Sequence, residues 1–279
     1  MNLNEKKLLL SSSIIEITYN CNYECIHCSY GCGKSKNNNK FLSLDEIKNY
    51  CFSDYVTITG GEPLMHPQFK EIIDFLYKNN KKIILQTNAS LFDEKLLNFV
   101  KERIFQYTIS LNANNENLYD KISGSKNNFN KVINNINFLG NKVITTTIAN
   151  KYNIDYFQEI IPFLNSLNCS TNMLAMIVDN GNDYKNNCVV SYTRFLEEVL
   201  KASYTKYTTI YDVPRCIIYQ YKKDLEKKEK IKIQYCNYRQ ENIHTEKCKD
   251  CLYTRLCTGI NKNYLEEIGD DEIKAIHRI

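Results

Sequence analysis

Three cysteines stand at Cys-x3-Cys-x2-Cys spacing in Cys21-Asn22-Tyr23-Glu24-Cys25-Ile26-His27-Cys28, directly after the apolar run Ile14–Tyr19. A loop this tight aims three thiolates at one inorganic centre and supplies no fourth ligand of the same kind. Thiolates suit zinc and iron–sulfur clusters, and a cubane cluster usually takes four of them. With three, one iron stays open, much as a catalytic zinc site keeps a position for substrate. An open iron is what a small chelating cosubstrate needs. The plainer readings are a structural zinc knuckle, with Cys32 as a fourth ligand, or a disulfide pair. His27 is an awkward ligand because its neighbour Cys28 already is one.

Two further constellations carry chemistry. Gly60-Gly61-Glu62-Pro63 follows a strand-like run. Glycines let the backbone approach a ligand closely, and Glu62 can accept from a ligand ammonium. An ordinary Gly-Gly turn with a surface Glu is the bland alternative. Near the C-terminus stands Cys248-x2-Cys251-x5-Cys257, followed by Thr258-Gly259, with Cys216 and Cys236 upstream. This is either a structural zinc ribbon or a second cluster site. Cys51, Cys169 and Cys188, like Cys32, read as buried small residues.

The remaining sequence must position these groups. Its 279 residues suffice for one large domain or a core with an appendix, and 43% apolar residues argue against wholesale disorder. A net charge of +4 is small for this length and argues against a nucleic-acid binder. The polar N-terminus has no secretory signal, and no apolar run approaches the ~20 residues of a membrane span. The chain therefore reads as soluble and cytoplasmic, its twelve cysteines reduced and reserved for metal.

Strands are expected at Ile14–Tyr19, Asp54–Gly60, Lys82–Thr87, Phe105–Leu111, Val143–Ala149 and Asn172–Val178. Helical patterns lie between them, beginning with Ser43, whose spacing to Glu46 is that of a capping box. This alternation means right-handed βαβ units and a parallel sheet. Six units fall short of a closed eight-stranded barrel, so the α/β fold expected is an open, partial (β/α)6 barrel resembling a TIM barrel. The rhythm breaks near residue 180. Residues 1–180 are read as the barrel with the first metal loop, and 181–279 as a small C-terminal domain with the second, including short strands at Tyr207–Val213 and Ile231–Tyr235. The mixed charges of Lys222–Lys232 read as a solvated helix.

The Cys-x3-Cys-x2-Cys loop, its His27 and Gly60–Pro63 resemble the radical S-adenosylmethionine (radical SAM) superfamily, in the branch that modifies peptides. The resemblance covers nearly the whole chain. It implies a catalytic [4Fe–4S] cluster on Cys21, Cys25 and Cys28, with S-adenosylmethionine held by Gly60, Gly61, Glu62 and Pro63 and flanked by His27. Gln86-Thr87-Asn88 looks like the family's Thr-Asn-Gly, with Ala89 in place of Gly. Ser110-Leu111-Asn112 looks like its Ser-Leu-Asp, with Asn112 in place of Asp. Thr87, Asn88, Ser110 and Asn112 are thereby expected beside the cofactor, with Lys121 near its carboxylate and Asn153 at a further family-like position. The C-terminal cysteines resemble the short "twitch" form of the SPASM auxiliary-cluster domain. Asn261 stands where the full pattern expects another Cys, so the resemblance implies one auxiliary iron–sulfur cluster on Cys248, Cys251, Cys257 and Cys216, with Cys236 the other choice for the fourth ligand.

The expected function is reductive cleavage of S-adenosylmethionine to a 5′-deoxyadenosyl radical that takes a hydrogen atom from a ribosomally made precursor peptide. A thioether, a carbon–carbon crosslink or an epimerised residue would result. An epimerase would also need a hydrogen-atom donor, and no spare Cys is singled out for it. About twenty residues before the first Cys leave no room for a leader-recognition domain, so a separate protein is expected to supply it. A flavodoxin or ferredoxin would supply electrons, and neither nucleic acid nor membrane is an expected partner. The rival readings are a radical enzyme acting on a nucleotide, sugar or cofactor precursor, and a zinc-binding regulatory protein.

Overall fold

The computed structural model describes residues 12–33, 40–176, 188–235 and 242–277. Eight parallel strands form one sheet, each paired with the next in sequence. They are β1 (Ser12–Thr18), β2 (Tyr55–Gly60), β3 (Lys82–Thr87), β4 (Ile104–Ser110), β5 (Val143–Ile148), β6 (Thr171–Ala175), β7 (Thr208–Tyr211) and β8 (Ile231–Gln234). β-Branched residues dominate them, as a pleated surface buried on one face favours. Alternate residues such as Val56, Ile58, Ile83, Leu85, Tyr107 and Ile109 are fully buried. They pack against the helices that cross between strands: α1 (Leu44–Lys48), α2 (Phe69–Lys78), α3 (Glu94–Arg103), α4 (Glu116–Ser123), α5 (Phe129–Leu139), α6 (Phe157–Ser166) and α7 (Tyr192–Lys201). Ser43 forms the expected capping box with Glu46. Among the described residues β1 and β8 do not pair, so the barrel is open.

The strand count corrects the expectation of six. The residues around the expected break near 180 lie outside the described set, but β7 and β8 beyond it extend the same sheet, Thr208 opposite Ile231 and Ile210 opposite Ile233. Both strands are only four residues long and β8 carries a lysine, which is why they read as part of an appendix. After β7 come the short helices α8 (Arg215–Gln220) and α9 (Lys222–Glu226). After β8, β9 (Asn242–Ile243) and β10 (Ile260–Asn261) pair antiparallel, and α10 (Lys262–Glu267) follows.

The C-terminal segment is fastened to the barrel at the N-terminus of α7. The Glu272 carboxylate accepts from the Tyr192 and Thr193 amides at 3.1 and 2.9 Å and from the Tyr264 hydroxyl. These amides belong to the first turn of a helix, where the backbone leaves donors unsatisfied and its dipole favours an anion. The Tyr192 and Tyr264 rings lie 4.5 Å apart beside it. Among the described residues no helix is long and apolar enough to cross a membrane.

Candidate active site

The cysteine loop leaves the C-terminal end of β1 and is tied down on both sides. On one side, Gly61 donates its N–H to the Thr18 carbonyl at 2.6 Å, and Glu62 donates to that of Asn20 at 2.7 Å. A Cβ at Gly60 would lie 2.1 Å from the Thr18 oxygen, and one at Gly61 would lie 2.2 Å from the Asn20 oxygen. The close approach that these glycines permit is therefore to the protein's own backbone, and it fixes where the loop begins. On the other side, the Glu24 and Ile26 amides donate to the Ser123 and Ile122 carbonyls, both at 3.0 Å. These are last-turn carbonyls of α4 that have no partner within the helix. Gly124 ends that helix with a φ of 62°, and a Cβ there would meet the Glu24 oxygen at 2.7 Å. Between the ties, Tyr23 is buried, with its hydroxyl 3.1 Å from that of Tyr119.

The three thiols form no disulfide, are half-buried and lie close enough to act on one another electrostatically. Burial pushes the Cys21 thiol up to about 12, with the neighbouring charges of Glu62 and Cys28 adding to the shift. Cys25 is driven up by burial and then by Cys21 and Cys28. Cys28 goes the other way, to about 6, because the Cys32 thiol and the backbone amides of Cys32, Tyr30 and Gly31 hydrogen-bond its sulfur. Crowded thiols of this kind fit a group rich in positive iron, which takes them as thiolates. Among the described residues no three His, Cys, Asp or Glu side chains close up as ligands of a single metal ion. A cubane asks for wider spacing, since each thiolate binds its own iron corner.

Glu62 is fully buried and held by three donors. Its Oε1 accepts from Thr87 Oγ1 at 2.6 Å and from the Leu64 amide at 3.1 Å, and its Oε2 accepts from the Asn88 amide at 2.8 Å. A carboxylate has about four acceptor positions, which leaves one on Oε2 for a ligand ammonium. Thr87 and Asn88, expected at the cofactor, act on Glu62. The Asn88 side chain also reaches Asn22 Oδ1 at 2.9 Å and the Cys21 sulfur, joining β3 to the cysteine loop. Ala89 takes a φ of 60°, the left-handed conformation that explains a Gly at the family position.

Burial raises the Glu62 carboxyl to about 7 against the hydrogen bonds from Thr87, Asn88 and Leu64. A carboxyl protonated below that value must lose its proton to receive an ammonium, so if Glu62 holds the ammonium of S-adenosylmethionine, binding would strengthen as pH rises through 7. Isothermal titration is then expected to show affinity about eightfold higher at pH 7.5 than at pH 6. Glu62→Gln should bind more weakly and lose the rise; a rise that survives the substitution would remove Glu62 from this role.

The remaining expected positions divide. Ser110 is exposed at the end of β4. Asn112 is buried with Oδ1 accepting from the Ile148 amide at 2.7 Å, and its Nδ2 lies 3.4 Å from His27 Nε2. An amide NH2 can only donate, so His27 accepts on Nε2 and carries its proton on Nδ1, which is buried without a partner. Burial lowers this imidazole to about 4, so it is neutral. Asn153 is wholly buried, donating to the Asn112 and Ile148 carbonyls at 3.1 and 2.9 Å. Asn112 and Asn153 are thus occupied in fixing the ends of β4 and β5. Lys121 is exposed, its ammonium 4.3 Å from the Tyr152 ring centroid. Sequence reasoning missed the part played by Ile122–Gly124, although a Ser-Gly after a helical pattern is itself a helix-stop signal.

At the other end of the chain, Cys216 opens α8 and is buried. Burial raises its thiol to about 11, with Cys257, Cys248 and Cys251 adding their charges. The structure thus gathers Cys216 with the three knuckle cysteines; Cys236 lies outside the described residues. Turns shape the knuckle. Thr254 Oγ1 donates to the Cys248 and Cys251 carbonyls at 2.8 and 2.9 Å, and Arg215 Nε donates to the Leu256 carbonyl at 2.8 Å. The Ile276 amide lies 3.4 Å from the Cys251 sulfur.

An open parallel barrel with a three-thiol loop at the end of its first strand, clasped by a buried carboxylate segment, defines a class of cluster-bearing α/β protein. The profile of the radical SAM superfamily matches residues 15–164, and the chain belongs to that superfamily of enzymes. Membership implies S-adenosylmethionine and a catalytic [4Fe–4S] cluster. The chain is 31% identical over 143 residues to the antilisterial bacteriocin subtilosin biosynthesis protein AlbA of Bacillus subtilis, covering 48% of this chain and 31% of that protein. It is 29% identical over 133 residues to the GTP 3′,8-cyclase of Vibrio parahaemolyticus, covering 44% of this chain and 39% of the cyclase. The chain thus spans well under half the length of both. Its fold is similar to that of anSMEcpe with bound AdoMet, with a TM-score of 0.57 at 16% identity, covering 95% of this chain and 92% of that one. Another anSMEcpe structure, holding AdoMet and the Kp18Cys peptide, matches with a TM-score of 0.53 at 15% identity over 80% of this chain and 63% of that one.

Proposed function

We propose that the protein is a radical SAM maturase that takes a hydrogen atom from a ribosomally made peptide, forming a thioether or carbon–carbon crosslink or epimerising a residue. Cys21, Cys25 and Cys28 would hold the catalytic cluster. Glu62 would receive the ammonium of S-adenosylmethionine, with Thr87 and the Asn88 amide keeping its carboxylate in place. When bound, these two groups supply the 5′-deoxyadenosyl radical; the protein supplies orientation and exclusion of side reactions. Cys216, Cys248, Cys251 and Cys257 would hold one auxiliary cluster in the C-terminal segment. A separate leader-recognition protein and a flavodoxin or ferredoxin complete the proposed partners.

The observation that favours a peptide is the chemistry of the barrel's concave face. Where Val56, Ile58, Ile83 and Leu85 turn to the helices, the alternate strand residues line the inside, where hydroxyls and amides stand among apolar residues such as Ile84, Ile144 and Met173 and a single carboxylate, Glu16. Thr59 Oγ1 bonds Gln86 Oε1 there at 2.8 Å, and Thr108, Ser110, Thr146 and Thr209 continue the lining. Among the described strand residues there is no arginine, and the two lysines of this face, Lys82 and Lys232, lie in the N-terminal halves of β3 and β8, away from the cysteine loop. A nucleoside triphosphate calls for clustered cations, whereas hydroxyls and amides match peptide backbone. AlbA's name and the anSMEcpe peptide complex lend the same support; the GTP cyclase supports the small-molecule reading.

The test is anaerobic incubation of reconstituted, reduced protein and S-adenosylmethionine with peptides encoded beside its gene, or with GTP. 5′-Deoxyadenosine release and substrate mass are then followed. The expected result is peptide-dependent release with loss of two hydrogens from the peptide, or deuterium uptake from solvent if it epimerises. Release driven by GTP alone would overturn the peptide reading.

A further inference from the structure

The tail that follows α10 has no role in the reading above, yet it runs from one side of the second cysteine group to the other. Its start is held beside Cys248, where the Lys247 ammonium donates to the Asp270 carbonyl at 2.7 Å and pairs with the Asp270 carboxylate at 2.9 Å. Glu272 then fastens the tail to the first turn of α7, and Gln220 of α8 donates to the Glu272 carbonyl at 3.0 Å. Ile273 and Ile276 are buried, only 3% and 7% exposed. At Ile276 the tail meets the knuckle through both of its backbone groups. The carbonyl accepts from the Leu252 amide at 2.7 Å, and the amide donates to the Cys251 sulfur at 3.4 Å. The direction of the second bond is fixed by chemistry, because a backbone N–H can only donate.

We propose that Ile276 is a positioning residue of the auxiliary cluster, whose backbone N–H, held on the Cys251 sulfur by the anchored tail, raises the potential at which that cluster accepts an electron. This rests on the reading of Cys216, Cys248, Cys251 and Cys257 as ligands of one cluster. An added electron increases the negative charge on a cluster and its sulfurs. A donor fixed on a ligand sulfur therefore stabilises the reduced state more than the oxidised one, and hydrogen bonds to sulfur are among the factors that set cluster potentials. The donor is fixed because the tail is fastened to α7 and α8, which lie between strands of the barrel sheet. A tail that merely packs against the knuckle would leave the potential unchanged when the N–H alone is removed.

The test is an anaerobic redox titration of the full chain, following by electron paramagnetic resonance the reduced signal that stays unchanged when S-adenosylmethionine is added, with iron counted in the same samples. Replacing Ile276 by its α-hydroxy acid, through nonsense suppression, turns the N–H into an ester oxygen and keeps the side chain. That protein is expected to keep wild-type iron while the reduced-to-oxidised ratio of this signal at a fixed potential falls about three- to tenfold, tenfold being about 59 mV for one electron. Ile276→Val keeps the N–H and should leave the potential where it is. Wild-type potential in the ester protein with iron intact would overturn the proposal. An equal shift in Ile276→Val would do the same, by assigning the effect to packing. So would loss of this cluster's iron from the ester protein, which would make the tail a clamp on the cluster. If wild type itself holds about four irons and shows no signal indifferent to S-adenosylmethionine, the auxiliary-cluster reading falls first and takes the proposal with it.

Discussion

Alanine at Cys21, Cys25 and Cys28 together is expected to halve the iron of anaerobically reconstituted protein, from about eight to about four per chain, and to abolish S-adenosylmethionine cleavage. The loop holding these residues is tied through backbone groups of Thr18, Asn20, Ile122 and Ser123, none of which the substitutions touch. The fold should therefore survive, and circular dichroism should match wild type. The iron that remains would belong to the C-terminal group. There Cys216→Ala should release it, because Cys216 shares its buried surroundings with Cys248, Cys251 and Cys257. A wild-type count of about four irons that falls to none in the triple variant would leave the C-terminal cysteines a zinc knuckle. Stoichiometric zinc without iron would sink the radical chemistry altogether.

Gly60→Ala is expected to cost about 3 kcal/mol or more, lowering the melting temperature by about 6–12 °C. Two penalties combine. The residue has a φ of 134°, a region that L side chains rarely adopt, and its Cβ would sit 2.1 Å from a backbone oxygen with no freedom to move aside. β1 and β2 would have to part where the cysteine loop starts, so iron uptake should fall along with stability. A Gly60→Ala protein that melts like wild type would show that the strand ends are not locked together. A protein that melts early yet loads full iron would separate the lock from the cluster site.

Much of this architecture is legible in the sequence because strands and helices differ in their apolar period. β3 (Lys82–Thr87) is read without error, and Asp93 caps α3 through the Leu96 amide. The metal-loop spacing is legible because ligands close in sequence must be close in space. What cannot be read there are partnerships across long separations. The Asn88–Asn22 and Asn112–Ile148 bonds join residues far apart in the chain, so the bracing of strand ends by these asparagines cannot be read from the sequence. Gly60 and Gly61 illustrate the same point. A missing side chain signals a close approach without saying what approaches, and here it is Thr18 and Asn20. β7 and β8 are visible as strands, but their membership of the main sheet depends on the turn taken by the chain between them and β6.

The strict sequential order of the sheet, β1 to β8, also bears on how the protein is made. Each strand leaving the ribosome finds the edge left by its predecessor, so the sheet can grow from one end without waiting for distant chain. The cysteine loop is the exception. Its clasp on Ile122 and Ser123 arrives roughly a hundred residues after Glu24 and Ile26, about 5–20 s later at ordinary rates of synthesis. For the later part of that interval the first four thiols hang in a loop tied only on its Gly61–Glu62 side, open to stray zinc and to oxidants. The clasp around the cysteine loop is thus complete only once α4 has emerged.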